Sequence, residues 1–303
     1  MKTVLLLCLL VAACAPARLS DRTPRPRVVS PDLARAFGGA NDEAATRSLG
    51  NWIAKNHNSG PSEPLPGYHV TWHPGGPGIF APGYFDRLEP ARRFNVSGLQ
   101  HHRADGSGVP LVGFRENRGR ELIEKWYPPE GITRAVTAVA IPGSAGNVEI
   151  RLIDRMRRET LTVEGKREVL AGDFTVPFTA LLEKTGPLNS SGLTSMVRLK
   201  SDRARGFALR EPYDPNRTPL IFIHGLISTP LAWAELTNER WAVPAIRRRY
   251  QLWHYLYPTN PPNKRRLEQN TSLRIQQTSH STRLAIGWSF GAKNVREFTT
   301  AWR

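Results

Sequence analysis

Apolar, β-branched residues recur through the middle of the chain in a pattern that predicts strands. The segments are VPLVGFRE, ITRAVTAVAIP and NVEIRLIDR, and turn-forming residues separate them. The next segment, LTVEGKREVLAGDFTVPFTALLEK, predicts a hairpin that leads into a short helix. We therefore expect residues 61–215 to form a β-rich α+β accessory domain.

The pattern changes in residues 216–303, where three apolar runs alternate with polar or helix-like segments. The first run, Leu220 to Ile223, is apolar at every position, as expected for a strand in a parallel sheet that is covered on both faces. A helix-like segment, LAWAELTNERW, precedes a second strand, YQLWHYLYP. The third run, RLAIG, enters the motif GWSFG, and a helix-like segment follows it. This order predicts part of a doubly wound α/β domain with a mostly parallel sheet.

Residues 14–60 read as a linker followed by a helical segment. Residues 15–30 are rich in Pro and Arg, which is typical of a linker. The segment SPDLARAFGGANDEAATRSLGNWIAKN then has apolar positions at helical spacing, interrupted at Gly38 and Gly39. It predicts one or two helices.

The first thirteen residues form a secretory signal peptide by pattern. Lys2 precedes an apolar run that is too short to span a bilayer, and small residues lead to Cys14. The ending LVAAC resembles the lipobox of bacterial lipoproteins, in which the cysteine becomes the lipidated N-terminus. Ala15, and not Asp, follows the cysteine, which favours the outer membrane of a bacterial envelope. The alternative is an ordinary signal peptide in which Cys14 has no role.

Composition narrows the classes of function. The 42 Lys and Arg against 26 Asp and Glu give a net charge of +16, but the basic residues are spread along the chain without a nucleic-acid-binding motif. The charge therefore indicates contact with anionic lipid head groups and no nucleic acid partner. Both cysteines, Cys8 and Cys14, lie in the first fourteen residues, so a mature chain has no internal disulfide and no cysteine metal site.

Two further segments could suggest a cofactor or a metal. The Gly-rich segment TWHPGGPGIFAPGYF has neither a strand-then-helix context nor a Gly-Lys-Ser/Thr motif, so it predicts a loop and no nucleotide. His101 and His102 with Asp105 form the one ligand-like group in the accessory domain. Pairs of this kind usually lie on surface loops. We expect no cofactor and no metal.

The segments PLIFIHGLISTPLAW and LAIGWSFGA resemble the lipase and esterase branch of the α/β-hydrolase fold family. YQLWHYLYPT is similar to a bacterial subgroup of these proteins that are lipoproteins with an N-terminal extension. The resemblance covers residues 218–303. It implies that Ser289 is the nucleophile, with Gly287 and Gly291 flanking it in a strand-to-helix elbow.

The same resemblance implies the groups that stabilise a developing oxyanion. They are the backbone N–H groups of Leu226 and Phe290, which would lie beyond a strand end and directly after the nucleophile. His224 and Gly225 form the turn before Leu226. In this family His224 has a structural role and is not the catalytic base.

The family uses its catalytic residues in the order Ser, then Asp or Glu, then His, and this sequence departs from that order. Glu297 is the only acid after Ser289, and all eight histidines precede it. We therefore expect an exported serine hydrolase of small esters or lipids that is incomplete after the elbow and has negligible activity as these 303 residues.

Two alternatives stay open. Residues 260–283 lack the amphipathic stripe of a helix, and a shifted reading frame from about Asn260 would make GWSFG coincidental. The chain could also be a non-catalytic envelope lipoprotein with a binding or structural role.

Overall fold

The computed structural model describes residues 42–58, 67–163, 165–185, 206–223, 233–256, 285–290 and 294–299. Within these ranges the helices are α1 (Asp42–Asn56), α2 (Val176–Thr185), α3 (Ala234–Ala242) and α4 (Pro244–Arg249), with 3₁₀ turns at Ala91–Arg93, Leu122–Trp126 and Ser144–Gly146. The strands are β1 (His69–Trp72), β2 (Ile79–Phe80), β3 (Arg87–Pro90), β4 (Arg103–Ala104), β5 (Val109–Arg115), β6 (Ile132–Pro142), β7 (Asn147–Asp154), β8 (Thr160–Val163), β9 (Lys166–Val169), β10 (Gly172–Asp173), β11 (Gly206–Leu209), β12 (Thr218–Ile223), β13 (Tyr250–Leu256), β14 (Ala285–Phe290) and β15 (Asn294–Thr299).

The first sheet contains the strands predicted from the β-branched segments. Its order is β1-β7-β6-β5-β3, with β2 on β7, and its pairs are antiparallel except for β1 with β7. Helix α1 covers one face, where Leu49 and Ile53 pack against Leu111 and Ile150. Because the other face is also covered, β6 is buried at nine successive positions, from Ile132 to Ala140.

Two elements cover the opposite face of the first sheet. Val176 and Ala180 of α2 join a core cluster with Phe114 of β5. The hairpin of β8 and β9 contributes Leu161, which packs in a cluster with Val139 of β6. The short helix and the hairpin that the sequence predicted are therefore both present, and together they shield a strand that is apolar on both faces.

The second sheet has the order β11-β13-β12-β14-β15. The three central strands are parallel, since β12 pairs in parallel with both β13 and β14, and α3 and α4 connect β12 to β13. The two outer pairs, β11 with β13 and β14 with β15, are antiparallel. The prediction of a doubly wound, mostly parallel α/β-hydrolase sheet is therefore wrong. The protein is β-rich, and this sheet is mixed.

The largest difference from the predicted fold lies directly after β14, where the sequence suggested a helix. Residues 294–299 form β15 instead and pair with the whole of β14. This segment, NVREFT, carries the strand-favouring residues Val295, Phe298 and Thr299. Pairing with β14 also gives hydrogen-bond partners to backbone groups that a helix would leave exposed at the edge of the sheet.

The two sheets share one hydrophobic core cluster. It contains Ala135 and Met156 from the region of the first sheet together with Phe222 and Leu252 from the second. Helices α2 and α3 lie in the same cluster through the rings of Phe178 and Trp241, whose centroids are 5.4 Å apart. The core thus includes residues on both sides of the predicted domain boundary at residue 216.

Candidate functional site

The parallel strands of the second sheet align the residues that precede the two hydrolase-like motifs. Ile223, the residue before His224, pairs with Trp288, the residue before Ser289. Ile223 also pairs with Tyr255 of β13. Because the carboxyl ends of neighbouring parallel strands meet at one edge of a sheet, β12, β13 and β14 end at the same edge. Ligands commonly bind at such an edge.

Ser289 lies inside β14, where it pairs with Val295 of β15. Phe290 ends the strand and pairs with Asn294, and Gly287 pairs with Glu297, the only acidic residue after the serine. The backbone here is that of an antiparallel hairpin, so the strand-to-helix form predicted for the elbow is wrong. The nucleophile role of Ser289 stays a prediction.

Several predicted site residues lie outside the described residues. They include the turn after β12, the second glycine of the motif and the lipidation site: His224, Gly225, Leu226, Gly291 and Cys14. Of the predicted oxyanion donors, the structure therefore describes the backbone of Phe290 alone. Of the two glycines that flank Ser289, the structure describes Gly287.

The two adjacent histidines each contact a carboxylate. The Nε2 atom of His101 lies 2.7 Å from Asp173 Oδ2, and both side chains are almost fully buried. The Nε2 atom of His102 lies 2.8 Å from Glu239 Oε1 on α3. The backbone carbonyl of Gln100 accepts a hydrogen bond from Asn238 Nδ2, at 2.7 Å. These contacts attach residues 100–102 to β10 and α3.

The structure gives the two histidines separate carboxylate partners. Asp105 is exposed and is not among the contacts of either histidine. In the part of the chain that the structure describes, no cluster of three or more His, Cys, Asp or Glu side chains has the geometry to hold a metal ion. The arrangement of His101 and His102 therefore supports an attachment role.

A buried ionic cluster, which sequence reasoning missed, lies between the two sheets. We define it as Arg134, Asp154, Glu211 and Arg217. Arg134 is 1% exposed, and its guanidinium donates to Asp154 at 2.8 Å and to Glu211 at 2.8 Å. Arg217 donates to the same Glu211 carboxylate at 2.6 Å. Glu211 in turn accepts the backbone N–H of Leu252 in β13, so the cluster joins the first sheet to the second.

The charges in this cluster stabilise one another. Burial by itself would raise the pKa of Glu211, but Arg217 and Arg134 hold that pKa below its ordinary value. Burial would lower the pKa of Arg134, but Asp154 and Glu211 raise it above its ordinary value. Both groups are therefore charged at neutral pH. One signal in the sequence was available, a lone Arg inside the apolar strand segment ITRAVTAVAIP.

Comparisons with protein-family models, with curated proteins and with solved structures found no match to this chain. The described residues contain no helix that is long and apolar enough to cross a membrane.

Proposed function

We propose that this chain carries the nucleophile of an exported carboxylic-ester hydrolase, with Ser289 as the attacking residue. The observation that supports this most is the pairing of Ile223 with Trp288 in neighbouring parallel strands. The turn that would supply one oxyanion donor and the serine that would attack each follow one of these two paired residues in sequence.

In the proposed reaction, Ser289 Oγ attacks the carbonyl carbon of a small ester or a lipid ester. Negative charge develops on the carbonyl oxygen, and the N–H groups of Leu226 and Phe290 stabilise it. Loss of one such donor typically costs about 3 kcal/mol of barrier. The bond between the carbonyl carbon and the alcohol oxygen then breaks, and the proton of the serine hydroxyl passes to the departing alcohol through solvent. Water then cleaves the acyl-serine bond, which gives a carboxylic acid and restores the serine hydroxyl.

The proposed reaction also needs a general base that accepts the proton of Ser289. The sequence has no histidine after Ser289, and Glu297 pairs with Gly287 on the neighbouring strand. Loss of the base in a serine hydrolase lowers the rate by about 10⁴ to 10⁶. We therefore propose that the 303-residue chain by itself turns over esters very slowly.

Added imidazole is expected to replace part of the missing base. Without it, p-nitrophenyl acetate should be hydrolysed at close to the buffer rate. With it, the wild-type chain should exceed the Ser289→Ala variant, because imidazole takes the proton of a serine only where that serine can attack. Release of p-nitrophenol measures the rate, and mass spectrometry of a fluorophosphonate-treated sample locates the labelled residue.

The matched control is Ser144→Ala, which removes an exposed serine from a 3₁₀ turn of the first sheet. It should behave like the wild type. An equal imidazole-dependent rate in the wild type and in Ser289→Ala would contradict the proposed nucleophile. Fast turnover without imidazole would contradict the proposed lack of a base.

A second candidate function is that of a non-catalytic envelope lipoprotein with a binding or structural role. The pairing of Ser289 with Val295 favours it, because a serine within an antiparallel hairpin does not have the strained turn that exposes a nucleophile. The imidazole experiment separates the two candidates, since this one predicts no reaction that depends on Ser289.

We further propose that the protein is exported to the outer membrane of a bacterial envelope and anchored there by lipid on Cys14. The apolar run after Lys2 and the ending LVAAC support this location. The proposal includes no nucleic acid partner and no cofactor.

Replacement of Cys14 by serine should abolish incorporation of radiolabelled palmitate in bacteria that express the full chain, because serine offers no thiol for lipidation. The Cys14→Ser protein should also leave the detergent phase. Cys8→Ser, which changes the other cysteine of the same segment, should keep the label. Retention of the label in Cys14→Ser would show that the anchor is wrongly assigned.

A further inference from the structure

Five aromatic side chains lie in contact at one side of the second sheet. We call them the aromatic surface: Trp126, Phe207, Tyr213, Trp253 and Tyr255. The Phe207 ring is 5.6 Å from Trp253 and 5.1 Å from Tyr255, measured between centroids. The ring of Trp126 lies 6.4 Å from Phe207, and that of Tyr213 lies 6.3 Å from Trp253. Neither the proposed ester chemistry nor the ionic cluster uses these rings.

Two rings of the aromatic surface are exposed to solvent, Tyr213 at 45% and Trp126 at 39%. Phe207, Trp253 and Tyr255 are half-buried, and Trp253 packs against a buried core cluster beneath the surface. Leu122, in the same 3₁₀ turn as Trp126, is 90% exposed. Large apolar side chains usually avoid such exposure when they gather at one place, and a cluster of them marks an interaction surface.

The residue types indicate what this surface contacts. Trp and Tyr have an apolar ring with a polar tip, and they concentrate where a bilayer meets water. The Lys125 ammonium lies 5.1 Å from the Trp126 ring, where it could meet a lipid phosphate. The net charge of +16 adds attraction to an anionic lipid surface.

The ring geometry argues against a glycan as the partner. Sugars stack on flat aromatic faces, but Phe207 meets Trp126, Trp253 and Tyr255 at interplanar angles of 64°, 66° and 62°. Phe207 therefore shares no flat stacking face with these three rings. An isolated, fully apolar side chain such as Leu122 also offers a sugar no hydrogen bond, whereas it can enter the acyl region of a bilayer.

We propose that the aromatic surface and Leu122 form a membrane-docking surface for an anionic lipid bilayer. This contact is separate from the lipid on Cys14, although it rests on the envelope location proposed above. The contact would set the orientation of the protein on the membrane.

A fluorophore at position 122 tests this directly. The full chain is prepared with Cys8→Ser, Cys14→Ser and Leu122→Cys, and the new thiol carries an environment-sensitive NBD dye. Vesicles of phosphatidylethanolamine with phosphatidylglycerol should shift its emission to the blue and raise it several-fold. The matched control places the dye through Val169→Cys, since Val169 is 55% exposed on β9. The emission of the dye at position 169 should not change when vesicles are added.

Two substitutions in the labelled protein test the role of the rings. The double substitution Trp126→Ser and Tyr213→Ser should weaken vesicle binding because it removes apolar area. The lipid concentration that gives half of the maximal change in dye emission should therefore rise about tenfold. Val243→Ser, at an exposed apolar residue outside the surface, should leave it unchanged. Circular dichroism confirms that each variant stays folded.

Three outcomes would overturn the proposal. They are no change at position 122, an equal change at position 169, and a change at position 122 that soluble cell-wall glycan fragments produce and vesicles do not. None depends on lipidation, because Cys14 is replaced throughout. Failure here is therefore distinct from failure of the lipid anchor or of the ester hydrolase.

Discussion

Replacement of Arg134 by methionine is expected to destabilise the protein by about 3–5 kcal/mol, the usual cost of removing one partner from a buried ion pair. The substitution leaves the carboxylates of Asp154 and Glu211 buried without the guanidinium that lies 2.8 Å from each. Urea unfolding at pH 7, followed by circular dichroism, measures the change in the free energy of unfolding.

The matched control is Arg118→Met. Arg118 contacts Glu116 at the same distance, 2.8 Å, but both side chains are more than half exposed. Exposed pairs contribute about 0–1 kcal/mol, so this variant should remain close to the wild type. Equal losses in Arg134→Met and Arg118→Met would show that burial of the cluster does not matter.

The pH dependence of the free energy of unfolding provides a second test of the ionic cluster. The pKa of Glu211 is lowered in the folded protein, so its contribution to stability is present above the unfolded pKa of about 4.3. It is lost as the pH falls from there through the folded pKa. In Arg134→Met the Glu211 pKa should rise, because one of its cationic partners is gone. With the folded pKa closer to the unfolded value, the contribution of Glu211 should be smaller, and it should be fully lost at a higher pH.

Replacement of Phe178 by alanine is expected to cost about 3–5 kcal/mol, the usual range for loss of a buried phenylalanine. Phe178 is buried on α2 and packs against Trp241 of α3. It lies in the core cluster that contains residues from both sheets. The cavity would therefore weaken the contact between the two sheets as well as the helix itself.

Chemical denaturation measures this loss, with near- and far-ultraviolet circular dichroism as separate probes. Val169→Ala, at an exposed apolar residue, should change the stability by less than about 0.5 kcal/mol. Wild-type unfolding should be a single transition, because one core joins the sheets. Two separate transitions in the wild type would contradict that view.

Much of the first sheet could be predicted from local pattern. The segment ITRAVTAVAIP coincides with β6, residues 132–142, and VPLVGFRE includes β5. Each is a run of β-branched residues bounded by turn residues, and such a run favours a strand whatever its partner is.

Other features depend on residues that are distant in sequence. The lone Arg of β6 pairs with Glu211, 77 residues away, and His102 contacts Glu239, 137 residues away. No local pattern indicates these partners, so neither the ionic cluster nor the carboxylate partners of the histidines could be predicted from the sequence. Burial of a charge is stable only where the fold brings its partner close.

The candidate site also combines features that local pattern predicts with features that depend on distant contacts. The apolar runs predicted β12, β13 and β14, but the sequence after GWSFG contains residues that suit a helix and residues that suit a strand. Residues 294–299 form a strand because pairing with β14 satisfies a whole row of backbone hydrogen bonds at once. The resemblance to a hydrolase therefore predicted a serine at the edge of the sheet but the wrong backbone around it.

By itself the sequence determined where strands could form, the excess of positive charge and the residues available for chemistry. These follow from each residue and its near neighbours. The tertiary structure alone decided the order of the strands, the mixed character of the second sheet, the partners of Arg134 and the gathering of aromatic rings on one side. These depend on contacts between distant segments, whose entropic cost is met only when the whole core assembles.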